Sequence, residues 1–278
     1  MSTASRHRLD VMMVKKGLVE SREKAKAVIL SGTVYVEGQK VDKAGTQVSS
    51  QDEINIAGNP IPFVSRGGLK LQKALDRFNP PVRDRVYIDV GASTGGFTDC
   101  LLQYGARKVY SVDVGYGQLA WSLRQDDRVV VMERTNIRNV SKDDFVELPE
   151  GSVIDVAFIS LTMVLPVIKE IILPDSHVIA LIKPQFEAGR EKVGKKGVVR
   201  SPETHKEVLQ NIVLASNQLG FIIKNIDFSP IKGPKGNIEF LIHLYKGFEG
   251  EGLSHDGREK IWCMIDKVVD SAHRELMI

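Results

Sequence analysis

Apolar positions follow two different periods along the chain. Near the start, Leu9, Met12, Met13 and Lys16 fall at helical spacing, and Gly17 ends the run as a C-cap glycine does. A second helix is predicted from Ser21, a good N-cap, with Ala25, Val28 and Ile29 on one face and Gly32 closing it. Val34-Tyr35-Val36, a turn at Glu37-Gly38-Gln39 and Lys40-Val41 predict a tight hairpin, with Ile54-Asn55-Ile56 as a further strand. Later the pattern changes to short β-branched runs at 86–91, 108–114, 128–133, 153–159, 177–183, 221–227 and 239–245. Helical patterns separate most of these runs, which predicts βαβ units and a mostly parallel sheet. The last two runs are joined by a Gly/Pro-rich loop without a helix, so that pair is expected to be antiparallel. Ser201-Pro202 opens the preceding helix, N-cap then proline. A final amphipathic helix carries Ile261, Trp262, Ile265, Val268 and Val269 as a packing face.

Gly58-Asn59-Pro60-Ile61-Pro62 breaks both periods and reads as a short, stiff linker. The expectation is therefore a small α+β domain over 1–60, a linker over 61–66, and an α/β domain over 67–278. The larger domain is expected to hold a Rossmann-like sheet of seven strands, with the C-terminal helix packed on it.

A chain of 278 residues, 42% of them apolar, can bury a core without staples. The two cysteines, Cys100 and Cys263, lie far apart without Cys or His partners. That excludes a disulfide scaffold, a zinc ribbon and an iron–sulfur site, and fits a reducing compartment. No apolar run nears the ~18 residues a membrane span needs, and Met1 to Asp10 is polar, so a cytoplasmic, soluble protein is expected. The net charge of +3 is too mild to imply a partner. Its distribution says more. Between Arg6 and Lys26 seven bases (Arg6, Arg8, Lys15, Lys16, Arg22, Lys24, Lys26) face three acids (Asp10, Glu20, Glu23). Such a stretch is either a solvated helical face or a footprint for a phosphate backbone.

The first strand of the α/β domain runs into Asp89-Val90-Gly91-Ala92-Ser93-Thr94-Gly95-Gly96-Phe97 and then a helix. A glycine-rich strand-to-helix turn lets a ligand approach the backbone and the helix N–H groups. Ser93 stands where a dinucleotide fingerprint has its second glycine, and its Cβ would crowd a pyrophosphate. A nucleoside ligand without phosphates fits better, and S-adenosylmethionine is such a ligand. Asp113 ends the next strand and suits ribose hydroxyls; Asn136, after the third, is a candidate for the adenine side.

Four ionisable residues interrupt or border apolar runs: Lys70, Asp155, Lys183 and Glu239. Buried charges need partners, so two structural salt bridges are one reading. The other is catalytic, because Asp155 and Lys183 lie towards the carboxyl ends of adjacent strands, where α/β sheets bind ligands. Two lysines with two acids can orient and deprotonate a weakly acidic hydroxyl without a metal. Between Glu187 and Ser201, Arg190, Lys192, Lys195, Lys196 and Arg200 are interleaved with glycines, either a basic loop over the site or an ordinary solvated one.

Residues 7–56, with Gly17-Leu18-Val19-Glu20-Ser21-Arg22 and Gly32-Thr33-Val34-Tyr35-Val36-Glu37-Gly38, resemble an S4 RNA-binding domain. Residues from about 65 to 246 resemble an FtsJ-type ribose methyltransferase. The combination of Ser65-Arg66-Gly67-Gly68-Leu69-Lys70, the glycine loop through Asp99, and Val112-Asp113-Val114-Gly115-Tyr116-Gly117-Gln118-Leu119 is similar to the TlyA family, which also carries a hemolysin name. The resemblance implies S-adenosylmethionine-dependent methylation of cytidine 2′-oxygens in 16S ribosomal RNA, 23S ribosomal RNA or both. It places the family's Lys-Asp-Lys-Glu set on Lys70, Asp155, Lys183 and Glu239. It also implies cofactor contacts from the glycine loop, 91–97, and Asp113; the RNA contacts expected are the seven bases between Arg6 and Lys26 with Arg66, Lys192, Lys195 and Lys196, and a monomer or weak dimer is expected. Base-directed enzymes often use a cysteine nucleophile or a Pro-Pro-aromatic clamp after the fourth strand; Asp155-Val156-Ala157-Phe158 stands there, which favours the ribose. A binding-only protein and a hemolysin are the alternatives. The first must explain the intact set of four charges, and the second lacks a membrane-inserting segment.

Overall fold

The computed structural model describes residues 6–56, 62–233, 235–247 and 255–276; of the linker expected over 61–66, residue 61 lies outside them, as do residues 58–60 of the stretch that breaks the pattern. The chain divides into two compact units, Met1–Gly68 and Leu69–Ile278.

In the first unit β1 (Arg6–Arg8) leads into α1 (Leu9–Lys15), followed by α2 (Arg22–Leu30), β2 (Val34–Val36), β3 (Gln39–Lys40), β4 (Gln47–Ser49) and β5 (Ile54–Ile56). Ser21 caps α2 by accepting the Lys24 N–H at 3.2 Å. Glu37 and Gly38 both take positive φ, 49° and 75°, which is what a two-residue hairpin turn of the primed type requires. The strands form a β3-β2-β5 sheet and a separate β1-β4 pair. Leu9, Met12, Met13, Ile29, Val34 and Val48 are the centre of its core. The pairing of β1 with β4 is not legible in the sequence: Arg6-His7-Arg8 and Gln47-Val48-Ser49 are too short and polar to show a period.

The second unit is built on α3 (Gly67–Phe78), β6 (Val86–Val90), α4 (Gly96–Gln103), β7 (Lys108–Val112), α5 (Trp121–Arg124), β8 (Val129–Met132), β9 (Gly151–Ile154), α6 (Leu161–Ile171), β10 (Ser176–Ile182), α7 (Pro184–Glu187), α8 (Pro202–Gln218), β11 (Ile222–Phe228), β12 (Phe240–Lys246) and α9 (His255–Leu276). Its seven-stranded sheet has the order β11-β12-β10-β9-β6-β7-β8. β10, β9, β6, β7 and β8 run parallel, while β12 is antiparallel to both of its neighbours. The sheet's apolar residues are buried against flanking helices; Leu161, Leu165 and Ile168 of α6 and Leu209 and Ile212 of α8 are at most 1% exposed. The chain order reverses between β6 and β9, which makes the carboxyl ends of these strands the expected ligand crevice.

One strand differs from expectation. The run 153–159 continues as apolar residues, yet β9 is Gly151–Ile154. Phe158 has φ +64°, outside the extended region, and Ser160 is already the N-cap of α6. Asp155 therefore lies just past the end of a strand instead of inside one.

Candidate active site

The ends of three neighbouring strands carry three of the four singled-out charges. Val90 is in register with Ile154, and Ala180 with the same residue, so Asp155 leaves the sheet between β6 and β10. Its N–H donates to the Val90 carbonyl at 2.9 Å. Gly91, φ +86°, faces this point: a Cβ there would lie 2.7 Å from the Asp155 carbonyl oxygen. Lys183 follows Ile182, and its Nζ is 2.6 Å from Asp155 Oδ1, with side chains 13% and 19% exposed. Ile182 is in turn opposite Phe240, which sets Glu239 beside Lys183 at the start of β12.

Glu239 is fully buried, and Lys70 of α3 donates from Nζ to its Oε2 at 2.6 Å across 169 residues of sequence. One turn along α3, Lys73 donates to Asp227 Oδ1 at 3.1 Å and to the Phe228 carbonyl at 2.6 Å. Two lysines thus fasten this helix to strand-end carboxylates. Lys73 escapes a sequence reading because nothing local distinguishes it from a surface lysine; its partners lie 154 and 155 residues away. Unpaired buried charges are strongly unfavourable, so the pairs formed here are what permits four charges in a largely dry position.

The glycine loop lies alongside. Asp113, at the end of β7, accepts the Ser93 N–H at 2.8 Å and the Gly115 N–H at 2.7 Å, so it holds two turns in place. A carboxylate has about four acceptor positions, which leaves capacity for a ligand hydroxyl. The Thr94 carbonyl accepts the Ala120 N–H at 3.1 Å. Gly95, φ +93°, is the N-cap of α4 and offers no side-chain cap to the helix N–H groups that begin at Gly96. Ala92 and Phe97 are buried, so what they present to a ligand is backbone. Below the loop, Asp89 is fully buried and accepts from Thr98 Oγ1 at 2.6 Å; burial holds its carboxyl up at about 7. Asn136 caps a short turn by accepting the Arg138 N–H at 3.1 Å, and the Thr135 N–H bonds the Asp113 carbonyl at 2.9 Å, which brings Asn136 to the Asp113 side.

This donor set suits S-adenosylmethionine. Asp113 keeps acceptor capacity for its ribose hydroxyls, and the uncapped start of α4 suits its carboxylate. Among the described residues no group of three or more His, Cys, Asp or Glu could hold a metal ion, and no helix is long and apolar enough to cross a membrane.

Two aromatic residues stand outside the set read from the sequence. Phe158 is 90% exposed three residues beyond Asp155, and its ring meets Phe186, three residues beyond Lys183, at a centroid distance of 5.0 Å. An exposed phenylalanine at positive φ is a readable signal only once the strand is known to have ended.

The basic residues of the first unit are partly occupied by nearby acceptors. Arg8 and Arg22 both bond Asp10, each at 3.0 Å, and Arg8 above all holds that carboxyl down at about 2. Lys24 pairs with Glu20 at 3.2 Å and Lys16 donates to the Asp52 carbonyl at 2.6 Å. Arg6, Lys15, Lys26 and Arg66 are exposed. In the second unit Lys192 pairs with Glu207, while Lys195 and Lys196 are exposed.

Sheet order, glycine loop and strand-end charges together define a Rossmann-like methyltransferase unit that follows a small RNA-binding unit. The chain belongs to the FtsJ-like methyltransferases, whose family model matches residues 63–246, and the S4 domain model matches 7–54. Among its relatives, YqxC of Bacillus subtilis, provisionally named an rRNA methyltransferase, is 52% identical over 99% of this chain and 96% of its own. The 16S/23S rRNA (cytidine-2′-O)-methyltransferase TlyA of Mycobacterium tuberculosis is 40% identical over 87% of this chain and 90% of its own. A solved structure from Streptococcus thermophilus, provisionally named a hemolysin, aligns at TM-score 0.77 with 45% identity, covering 99% of this chain and 98% of that one.

Proposed function

We propose that this protein transfers a methyl group from S-adenosylmethionine to the 2′-oxygen of a cytidine ribose in 16S or 23S ribosomal RNA. The observation that carries the reading is the pair of ion pairs at the strand ends, Lys183–Asp155 and Lys70–Glu239, each closed at 2.6 Å beside the glycine loop. The name borne by the Mycobacterium tuberculosis relative supports the choice of substrate.

When bound, the cofactor supplies an electrophilic methyl group on a sulfonium. Lys183 is the group that meets the ribose hydroxyl: as the ammonium of its ion pair with Asp155 it donates a hydrogen bond to the oxygen and stabilises the negative charge that develops there as the hydroxyl proton passes to water. Asp155 fixes the direction of Lys183 through their ion pair. Lys70 and Glu239 form the second wall of the site and orient the sugar. Gly91 to Phe97 and Asp113 would hold the cofactor, with Asn136 a candidate for its adenine. Phe158, exposed at the rim, offers a face on which an unstacked base rests. The S4 unit, through Arg6, Arg8, Lys15, Lys16, Arg22, Lys24 and Lys26, supplies phosphate contacts, joined by Arg66 and by Lys192, Lys195 and Lys196 of the basic loop. The protein then works in the cytoplasm, on ribosomal subunits.

The test is transfer of labelled methyl to separated small and large subunits, with nuclease digestion to place the label on sugar or base and Lys183→Ala as control. Label on a ribose, absent in the variant while cofactor binding persists, is the expected result. Label on a base, or full transfer by Lys183→Ala, would overturn the assignment.

A further inference from the structure

We propose that Glu187 is a positioning residue for the Lys183–Asp155 pair: it clasps together the two loops that carry the lysine and the aspartate. The inference rests on the catalytic role proposed for that pair.

β9 and β10 pair only as far as Ile154 and Ala180, so sheet register ends just before Asp155. Beyond it the chain crosses five residues, one of them Phe158 at φ +64° with an exposed ring, before α6 begins. Lys183 leaves β10 as the N-cap of α7, a single turn started by Pro184. Glu187 is the last residue of that turn and so lies one helical turn from Lys183. Its carboxylate reaches the other loop: Ser160 Oγ donates to Oε2 at 2.6 Å, and the Leu161 N–H donates to Oε1 at 2.9 Å. The same two loops also meet through the Phe158 and Phe186 rings, centroids 5.0 Å apart. The far end of the clasp is firm, because Leu161 is 1% exposed and begins a helix whose inner face is core.

Helix capping alone does not call for Glu187. Ser160 Oγ already accepts the Thr162 N–H at 3.1 Å from within its own segment. A carboxylate at the start of an eleven-residue helix is electrostatically welcome. Burial nevertheless works against its charge and pushes the Glu187 carboxyl up. What this costly group adds is a bridge between loops, and the loops bridged are those of Asp155 and Lys183. Catalysis is sensitive to such placement, since a shift of about 1 Å can cost on the order of a hundredfold in rate.

The test uses the full chain with Glu187→Ala, Glu187→Gln, Ser160→Ala and Lys183→Ala. Steady-state methyl transfer is measured against pH, cofactor affinity by calorimetry, and amide exchange over 156–161 by mass spectrometry. Glu187→Ala is expected to lower kcat by roughly 10–100-fold, with cofactor affinity changed by no more than about threefold. Its pH profile should move, because Lys183 no longer keeps a fixed relation to Asp155. Glu187→Gln, which still accepts one hydrogen bond, should recover most of the rate. Exchange over 156–161 should quicken in Glu187→Ala, a readout independent of turnover. Wild-type kcat, pH profile and exchange in Glu187→Ala would overturn the proposal, as would a fall in rate that only tracks the loss of folded protein. Should Glu187→Ala fail to fold, Ser160→Ala decides: lower kcat with faster exchange supports the clasp, and wild-type values for both refute it. An active Lys183→Ala would bring down the catalytic reading and the clasp's role with it. An inactive Lys183→Ala beside a normal Glu187→Ala would remove the clasp alone.

Discussion

Replacing Lys70 with methionine leaves Glu239, which is fully buried, without the ammonium that sits 2.6 Å away. Removing one partner of a buried ion pair costs about 3–5 kcal/mol, because the remaining charge has neither water nor counter-ion. An exposed pair such as Lys24–Glu20 is worth about 0.2–1 kcal/mol and serves as the baseline. For a unit the size of Leu69–Ile278 a loss of 3–5 kcal/mol lowers Tm by roughly 6–20 °C. The double variant Lys70→Met/Glu239→Gln removes both charges, and it should recover more than half of that loss while remaining inactive. Denaturant melts of wild type, both single variants and the double variant close a cycle, and methyl transfer is measured on the same samples. A double variant whose loss equals the sum of the two single losses shows no coupling and refutes the buried pair. A stable, fully active Lys70→Met would refute the positioning role as well.

Asp113→Ala removes the acceptor of the Ser93 and Gly115 N–H groups, and cofactor affinity should fall about 10–100-fold; unchanged calorimetry would take Asp113 out of the site. Changing Arg6, Lys15 and Lys26 together to glutamine should weaken RNA binding and flatten the dependence of log K on log salt, by about 0.7–0.9 for each phosphate no longer neutralised; an unaltered slope would refute the footprint. Phe158→Ala should cost about 1–3 kcal/mol in RNA substrate use without altering cofactor affinity, and equal kcat/KM would refute base stacking at the rim. His205, whose Nδ1 is 2.8 Å from His273 Nε2, is held down at about 4 by burial. The unfolded chain takes up this proton near pH 6.5, so stability present above that pH is lost as pH falls towards 4. The histidine contributes up to about 3 kcal/mol to that loss, and His205→Phe should flatten the pH dependence in melts between about pH 4 and 7.

The parts of the molecule that can be read in advance are those encoded within a few residues. Ser21, the Glu37-Gly38 turn and Ser201-Pro202 act through their immediate neighbours, and all three are found where the local pattern puts them. The odd placement of four charges in apolar runs is also visible. Which lysine meets which carboxylate is not, because Lys70 and Glu239 are 169 residues apart and only strand order brings them together. The end of β9 is hidden for a related reason. Ala157-Phe158-Ile159 is apolar enough for a strand, and what stops the strand is backbone conformation at Phe158 together with the capping of α6 by Ser160. Glu187 reads as an ordinary helix residue until its bonds with Ser160 and Leu161 are seen.

The position of β12 has a consequence for the time at which the protein becomes competent. This strand is the last of the sheet to be synthesised, and it lies between β10 and β11, pairs with both and brings Glu239 with it. The earlier strands can pair as they emerge, but the fourth charge arrives only when residues 240–246 have paired with β10, with β11 held on their other side. Such late, long-range pairing is slow compared with local pairing. A nascent chain therefore carries no finished site until β12 has been made and has paired with β10.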